Sequence, residues 1–227
     1  MLLTPLAHRM HRMFSPFAVV VALAASLAAK EPAVPVLDLT KTPPREQQVT
    51  SVPGMSVGGI EGQSLPKGYI LPLKIELLSI APLPAKLGDK FIVEVRLQNI
   101  GSSAFFLPAS QNSVEVLQHE GKGRRDFDFN LIFADPSRGR QVSSIVGVAA
   151  GSDSVKGSLL RIEPGKSVRV LLKADLEPIA GWLNSGADHV QVRAGASEWT
   201  FEDVRYFIKS QSEPIISDQT QEIEPTR

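Results

Sequence analysis

Apolar and polar side chains alternate one by one along most of the chain after residue 68. The first such segment places apolar residues at every second position from Leu71 to Leu77 and fills the positions between them with proline or charged residues. Because successive side chains of a strand point to opposite faces, this pattern predicts a half-buried β-strand. Pro72 has no amide proton to donate, which predicts an edge strand or the start of a strand.

Further segments with the same alternation, or with short apolar runs, follow at regular spacing and are separated by turns rich in glycine, proline, asparagine and aspartate. Helix is predicted for residues 176–184, for a turn or two. Roughly eight to ten strands joined by short turns predict an all-β fold of the sandwich or barrel type. The strands predicted after the first one are 91–97, 104–107, 113–116, 127–133, 142–150, 159–162, 168–172, 190–194 and 199–208.

The first 28 residues have the features of an export signal. Arginines without any acidic residue precede an apolar stretch at 14–29, and Ser26-Leu27-Ala28 satisfies the small-x-small rule for cleavage after Ala28. The alternative is an uncleaved anchor in the inner membrane. A helix over this stretch would rise about 24 Å, however, against about 30 Å for the bilayer core. We therefore expect a cleaved signal, a periplasmic or extracellular protein, and no membrane span in the mature chain.

Two flanking segments differ in composition from the alternating region. Residues 29–68 are rich in proline and glycine and lack sustained periodicity, which predicts an extended linker. Residues 209–227 are polar and acidic, which predicts a disordered tail. The β-domain is therefore predicted to span residues 69–208.

Three segments of the alternating region resemble motifs of a known fold. Residues 88–101 read GDKFIVEVRLQNIG, residues 160–170 read LRIEPGKSVRV, and residues 188–194 read DHVQVRA. In this order they resemble bacterial extracellular immunoglobulin-like (Ig-like) domains, both the cell-adhesion-related (CARDB-like) group and the proteinase-inhibitor domain named for a Bacillus intracellular inhibitor. The resemblance implies an Ig-like antiparallel β-sandwich, a fold that serves adhesion, scaffolding and inhibition alike. Residues 142–150 lack the tryptophan that the inhibitor family carries in its middle segment.

Composition excludes several classes of function. The chain has no cysteine, so disulfides, cysteine nucleophiles and a lipidated cysteine are excluded. Two of its 24 basic residues lie in the first 28 positions, which leaves a mature chain with a net charge of −2. That balance gives no electrostatic attraction to nucleic acid.

Motifs for catalysis and metal binding are missing from the sequence. His119 and His189 are the histidines outside the signal, and neither has a local partner motif. Asp126, Asp128 and Asn130 look like the start of a calcium loop, but the glycine and glutamate that should follow are absent, so we interpret them as the polar face of a strand. We predict a non-enzymatic protein with no metal or other cofactor.

One aromatic and four cationic side chains are the candidate binding residues. Trp182 lies beside a glycine and a turn, where an exposed ring would stack on a sugar or anchor a protein partner. Arg124, Arg125, Arg138 and Arg140 lie on neighbouring predicted hairpin loops and would together attract an acidic partner or an anionic glycan. The alternatives are structural: a solvated basic loop, and an aromatic cover over one end of the domain.

These observations together predict an exported, non-catalytic module that binds a protein or a cell-envelope glycan. A secreted Ig-like proteinase inhibitor is the alternative. It would present a rigid exposed loop, for which residues 135–140 and 181–186 are the candidates. The sequence leaves the oligomeric state open.

Overall fold

The computed structural model describes residues 33–41, 68–110, 116, 123–201 and 208–225. In this part of the chain the fold is all-β, with twelve strands and little helix, which confirms the predicted class at that level. The unit that begins at Val34 is compact. The strands are β1 Val36–Asp38, β2 Leu73–Ala81, β3 Phe91–Asn99, β4 Phe105–Pro108, β5 Arg125–Asp135, β6 Arg140–Gly151, β7 Leu159–Ile162, β8 Ser167–Ala174, β9 Val190–Phe201, β10 Ile208–Gln211, β11 Ile215–Ile216 and β12 Gln221–Ile223. Two 3₁₀ helices, Pro136–Arg138 and Glu177–Ile179, and one α-helix, α1 Ala180–Asn184, complete the named elements.

The strands are arranged in three sheets. A four-stranded sheet has the order β1-β8-β3-β2, and a six-stranded sheet has the order β10-β9-β5-β6 with β11 and β12 also paired to β9. Strands β4 and β7 form a separate two-stranded sheet. The apolar residues that face inward from the four- and six-stranded sheets belong to one hydrophobic core.

Strands β2 and β3 follow the predicted alternation. Leu73 and Ile75 of β2, like Val93 and Val95 of β3, are buried in the core, while the residues between them face outward. Pro72 comes directly before β2, which is an edge strand of its sheet. At this position no N–H of residue 72 is needed for the hydrogen-bond ladder, so the missing amide proton of the proline costs nothing. The edge-strand prediction is therefore confirmed.

Strand β5 lies between β6 and β9 and is covered on both faces. Phe127, Phe129 and Phe133 have no exposed surface, as the alternation predicts. The opposite face carries the predicted polar residues, but Asp126 and Asp128 are only 2% exposed. A sequence pattern shows which side of a strand is polar, but not whether another part of the chain covers that side.

The predicted linker contains the first strand of the fold. β1 pairs with β8 over residues 169–171, and this is a parallel pair in a fold predicted to be antiparallel. Leu37 and Leu39 are 8% and 1% exposed. The linker prediction is therefore wrong for residues 36–39, because two leucines at alternate positions suffice to dock a strand in a proline-rich context. Residues 42–67 of the predicted linker lie outside the described residues.

The predicted disordered tail also forms strands. β10, β11 and β12 all pair antiparallel with β9, and Ile223 is 1% exposed. Two serines support the bends between these strands: Ser212 Oγ accepts a hydrogen bond from Glu198 N at 2.8 Å, and Ser217 Oγ accepts one from Ala194 N at 3.1 Å. The prediction of disorder from residue 209 is wrong, because edge pairing depends on backbone groups and needs little apolar surface.

The remaining predictions differ in outcome. The predicted helix at 176–184 is confirmed by the second 3₁₀ helix and α1. Val116, the described residue of the predicted strand 113–116, is helical and buried instead, since four residues of alternation cannot distinguish the two states. Among the described residues no helix is long and apolar enough to cross a bilayer. The signal at 1–28 and His119 lie outside the described residues.

Candidate functional site

The β5–β6 turn and helix α1 meet at one end of the domain and bring three of the five predicted binding residues together. We call the group of Asp135, Arg138, Arg140, Trp182 and Ser185 the Trp182 corner. The guanidinium carbon of Arg140 lies 5.1 Å from the centroid of the Trp182 ring, within the range of a cation–π contact. Trp182 is half-buried and packs against the hydrophobic core. The ring covers the end of the core and is itself contacted by Arg140, so it is not the open stacking platform that the sequence suggested.

Asp135 holds the Arg140 side chain in place at this corner. The carboxylate is almost fully buried, and its Oδ2 accepts a hydrogen bond of 2.7 Å from Arg140 Nη2. Its Oδ1 accepts a second bond from the hydroxyl of Ser137. The hydrogen bond from Arg140, followed by the one from Ser137, lowers the pKa of Asp135. The carboxylate therefore stays ionised at neutral pH and keeps Arg140 over the ring.

Arg138 ties the β5–β6 turn to the loop after α1. Its Nη1 donates to both the backbone oxygen and the hydroxyl of Ser185 at 3.1 Å. The Ser185 hydroxyl in turn donates to the Trp182 carbonyl at 2.9 Å. Gly139, with a φ of 60°, adopts the left-handed conformation that closes the turn between the two arginines. Arg138 itself is exposed, so of the two arginines in this corner it is the more accessible to a partner.

A shallow cleft of about 340 Å³ lies beside the Trp182 corner. It is bounded by the β5–β6 turn on one side and by the start of β9 on the other. His189 is exposed here, directly before β9. The cleft therefore combines one guanidinium with three carboxylates and an amide, so its lining carries more negative than positive charge. Its polar lining residues are Asp135, Ser137, Arg138, Asp188, His189, Gln191 and Glu222.

The predicted basic cluster is divided between the two ends of strand β5. Arg125 begins this strand, Arg124 precedes it, and the corner arginines follow it. Ten residue steps along a strand span about 33 Å, so the four arginines do not form one patch. The prediction of a single basic cluster is wrong, because the two loops are neighbours in sequence but lie at opposite ends of one hairpin.

Arg124 has a structural role at its own end of the domain. The residue is 7% exposed, and its Nε donates to Asp126 Oδ1 at 2.8 Å. Its guanidinium carbon also lies 4.8 Å from the centroid of the Phe201 ring. Arg124 is thus a buried partner of a buried carboxylate. The prediction that Arg124 belongs to a solvent-facing binding site is therefore wrong.

Arg125 belongs to a polar trio that the sequence did not reveal, in which Glu198 is buried while Arg125 and Tyr69 are half-buried. Its Nη1 lies 3.2 Å from Glu198 Oε1, and Tyr69 donates a hydrogen bond of 2.7 Å to Glu198 Oε2. Burial is the largest cause that raises the pKa of Glu198, although Arg125 and Tyr69 act in the opposite direction. Burial, followed by the charge of Glu198, raises the pKa of Tyr69. Tyr69 and Glu198 are 129 positions apart in the chain, so no local motif signals their contact.

The described residues do not assemble a recognisable catalytic or metal-binding group. Ser152 and Ser154 hydroxyls lie 2.7 Å apart, but His189 lies at the start of β9, beyond the other end of the β5–β6 hairpin. In this part of the chain no group of three histidine or carboxylate side chains is placed to hold a metal ion.

No known family model matches the chain, and no curated protein matches it in sequence. Among solved structures, it is similar to a β-glucosidase from Listeria innocua in complex with gluconolactone, with 13% identity, a TM-score of 0.32, and coverage of 68% of this chain and 16% of that one. It is also similar to the alkylpurine DNA glycosylase AlkC from Pseudomonas fluorescens, with 11% identity, a TM-score of 0.32, and coverage of 69% and 31%. A third similar structure is Spo0M, a sporulation control protein from Bacillus subtilis. Its sequence identity is 9% and its TM-score is 0.29, and the match covers 70% of this chain and 51% of that one. The chain spans less than two thirds of each of these proteins, and similarities this low carry no argument about function.

Proposed function

We propose that the protein is an exported, non-catalytic interaction module that binds its partner through the Trp182 corner and the adjacent cleft. The observation that carries the proposal is the bracing of this corner. Asp135 fixes Arg140, Arg140 contacts the Trp182 ring, and Arg138 is fixed by Ser185. A surface whose side chains are already held loses less conformational entropy on binding, which favours recognition.

The chemistry of the cleft favours a partner rich in hydroxyl groups. Arg138 and Gln191 offer hydrogen-bond donors, while Asp188 and Glu222 offer acceptors. A sugar hydroxyl both donates and accepts, so a neutral cell-envelope glycan matches this lining better than a polyanion does. A polar loop of an envelope protein would present similar groups and is the other partner of this class.

We further propose that the all-β domain is an Ig-like sandwich and that residues 1–28 direct its export. The resemblance of residues 88–101, 160–170 and 188–194 to bacterial extracellular Ig-like domains supports the first part. The basic, apolar and small-residue pattern of the N-terminus supports the second.

The inhibitor alternative is less well supported by the candidate loops. An inhibitor that enters a protease cleft offers an extended segment whose backbone pairs with the enzyme. Residues 136–138 instead form a 3₁₀ turn, and residues 180–184 form helix α1. Neither loop presents extended backbone, so the corner suits recognition of a surface better than insertion into a cleft.

A glycan array tests the proposal with the full chain and two variants. We expect the protein to bind one or more bacterial envelope glycans, and Arg138→Ala to weaken that binding about tenfold, close to 1.4 kcal/mol. Arg161→Ala is the matched control, because Arg161 is an exposed arginine on β7, outside the corner. Absence of binding to the array, together with a pull-down from an envelope extract that recovers no protein partner, would refute the proposal, and so would equal losses in both variants.

A further inference from the structure

We propose that the groove filled by β1 is a second binding site, which accepts an extended strand with leucines at alternate positions from another polypeptide. The site uses no residue of the Trp182 corner and does not depend on the function proposed for it. The chain's own residues 34–39 occupy the groove in the structure and show what it recognises.

Backbone groups of β8 provide the first element of recognition. The N–H of Arg169 donates to the carbonyl of Pro35 at 2.9 Å, and the N–H of Leu39 donates to the carbonyl of Leu171 at 2.8 Å. Between these bonds, β1 runs parallel to β8 with Leu37 opposite Val170. Main-chain bonds of this kind accept any sequence that can extend, which is the basis of binding by strand addition to a sheet edge.

Two leucine sites provide the specificity. Leu37 and Leu39 point inward and are buried, whereas Val36 and Asp38 between them are exposed. The site that holds Leu39 has room for this side chain because β6 has a glycine, Gly147, beside it. A Cβ on Gly147 would lie 3.6 Å from Leu39 Cδ1 and 2.6 Å from Leu172 Cδ2. The groove therefore selects the pattern leucine-x-leucine and tolerates variation at the positions between.

The domain is built so that β1 can leave without loss of the sheet behind it. β1 pairs with β8 over three residues, whereas β3 pairs with the other edge of β8 over eight. Among the described strands, β1 has no other pairing partner. Departure of β1 would leave β8 held by β3 and would expose an unpaired strand edge beside an apolar groove, which is a template for an incoming strand.

A cross-link across β1 and β8 tests the proposal directly. Val36 and Arg169 are opposite each other in the register and their side chains are exposed, and the chain has no cysteine of its own. In the variant Val36→Cys/Arg169→Cys, a disulfide therefore locks β1 in the groove, and reduction frees it. The probe is a fluorescein-labelled peptide with the sequence of residues 34–41, and its anisotropy reports binding.

We expect the reduced protein to bind this peptide and the oxidised protein to bind it at least about tenfold more weakly. A peptide with Leu37→Asn and Leu39→Asn should bind neither form. Equal binding to the reduced and oxidised forms, or no binding to the reduced form up to millimolar peptide, would overturn it.

A second variant keeps the test independent of the cross-link. Leu37→Asn/Leu39→Asn in the full chain weakens the resident strand, so the wild-type peptide should bind about tenfold more tightly than it does to the unmodified protein. If this variant does not fold, the locked variant alone decides the question, because its substitutions lie at exposed positions.

Discussion

Tyr69 donates a hydrogen bond of 2.7 Å to Glu198, and this contact joins the residues before β2 to the inward face of β9. The same region is connected a second time, because Glu213 N donates to the Tyr69 carbonyl at 2.9 Å. The side chain and backbone of Tyr69 thus link the segment before β2 to strand β9 and to the C-terminal segment between β10 and β11. A half-buried tyrosine bonded to a buried carboxylate, with this many attachments, should contribute measurably to stability.

Tyr69→Phe should destabilise the domain by about 1–3 kcal/mol, because it leaves a buried carboxylate oxygen without its hydrogen bond. The ring remains, so the loss reports the hydroxyl and not a cavity. Urea unfolding of the wild type and the variant at neutral pH measures the difference. A change below about 0.5 kcal/mol would show that water replaces the hydroxyl.

Glu198 should make the domain more stable as pH falls from neutral. Burial raises the pKa of this carboxyl in the folded state, so the folded protein binds the proton more tightly than the unfolded chain does. The contribution is therefore fully present at low pH and is lost as pH rises through the folded pKa. The unfolding free energy of the wild type, relative to that of Glu198→Gln, should therefore decrease as pH rises from the unfolded pKa of about 4.5 through the higher folded pKa. Glu163→Gln, at an exposed carboxylate, is the control, and a difference that grows with pH would contradict the prediction.

Asp135 should give the Trp182 corner the opposite pH dependence. The hydrogen bond from Arg140 lowers the pKa of this carboxyl in the folded state. Its stabilising contribution is present above the unfolded value and is lost as pH falls through the folded one. In a Trp199→Phe background, the fluorescence of Trp182 should change below about pH 4, as Arg140 is released from the ring. Asp135→Asn should remove that acid transition; if the transition survives, Asp135 does not hold the corner.

The C-terminal strands should be an integral part of the core. Ile223 is 1% exposed and Ile216 is 43% exposed, on neighbouring short strands that pair with the same partner. Ile223→Ala should therefore cost about 2–5 kcal/mol, and Ile216→Ala less than about 0.5 kcal/mol. Thermal or chemical unfolding of the two variants measures both values. Equal and small effects would mean that the segment after residue 208 is the disordered tail that its composition suggested.

Gly147 should be intolerant of even one added methyl group. A Cβ there would meet Leu172 at 2.6 Å in a packed interior, and such overpacking costs about 1–3 kcal/mol. Gly181→Ala is the control, because it lies in helix α1 and a Cβ there meets nothing within 4 Å. That substitution should stabilise the domain slightly, by about 0.4–1 kcal/mol. The same sign for both variants, measured by unfolding, would contradict the close approach of β6 to β8.

The strands that sequence alone predicts are those with a long apolar face. β2, β3 and β8 alternate over seven or more residues, and their burial follows the alternation. β1 and β12 have three residues each, which is too few to recognise an alternation of apolar and polar side chains. Their position depends on a groove and a free strand edge built by residues 29 or more positions away, which no local window contains.

The sequence predicted only part of the candidate site, because the contacts within that site join residues that are far apart in the chain. Arg138, Arg140 and Trp182 do come together, since each lies in or beside a turn at one end of the domain. The sequence did not show that Arg140 contacts the Trp182 ring, nor that Arg124 is buried against Asp126. Whether a cation faces a partner or a neighbour within its own chain is decided by tertiary packing.

Mapping of amide chemical shifts on the full chain tests the central claim most directly. When a glycan or envelope protein that binds is added, the account predicts shifts concentrated at residues 135–140, 182–189, 191 and 222, and their loss in Arg138→Ala. Shifts confined to other surfaces, or an unchanged spectrum with every envelope component tested, would contradict the claim that the Trp182 corner is the recognition site.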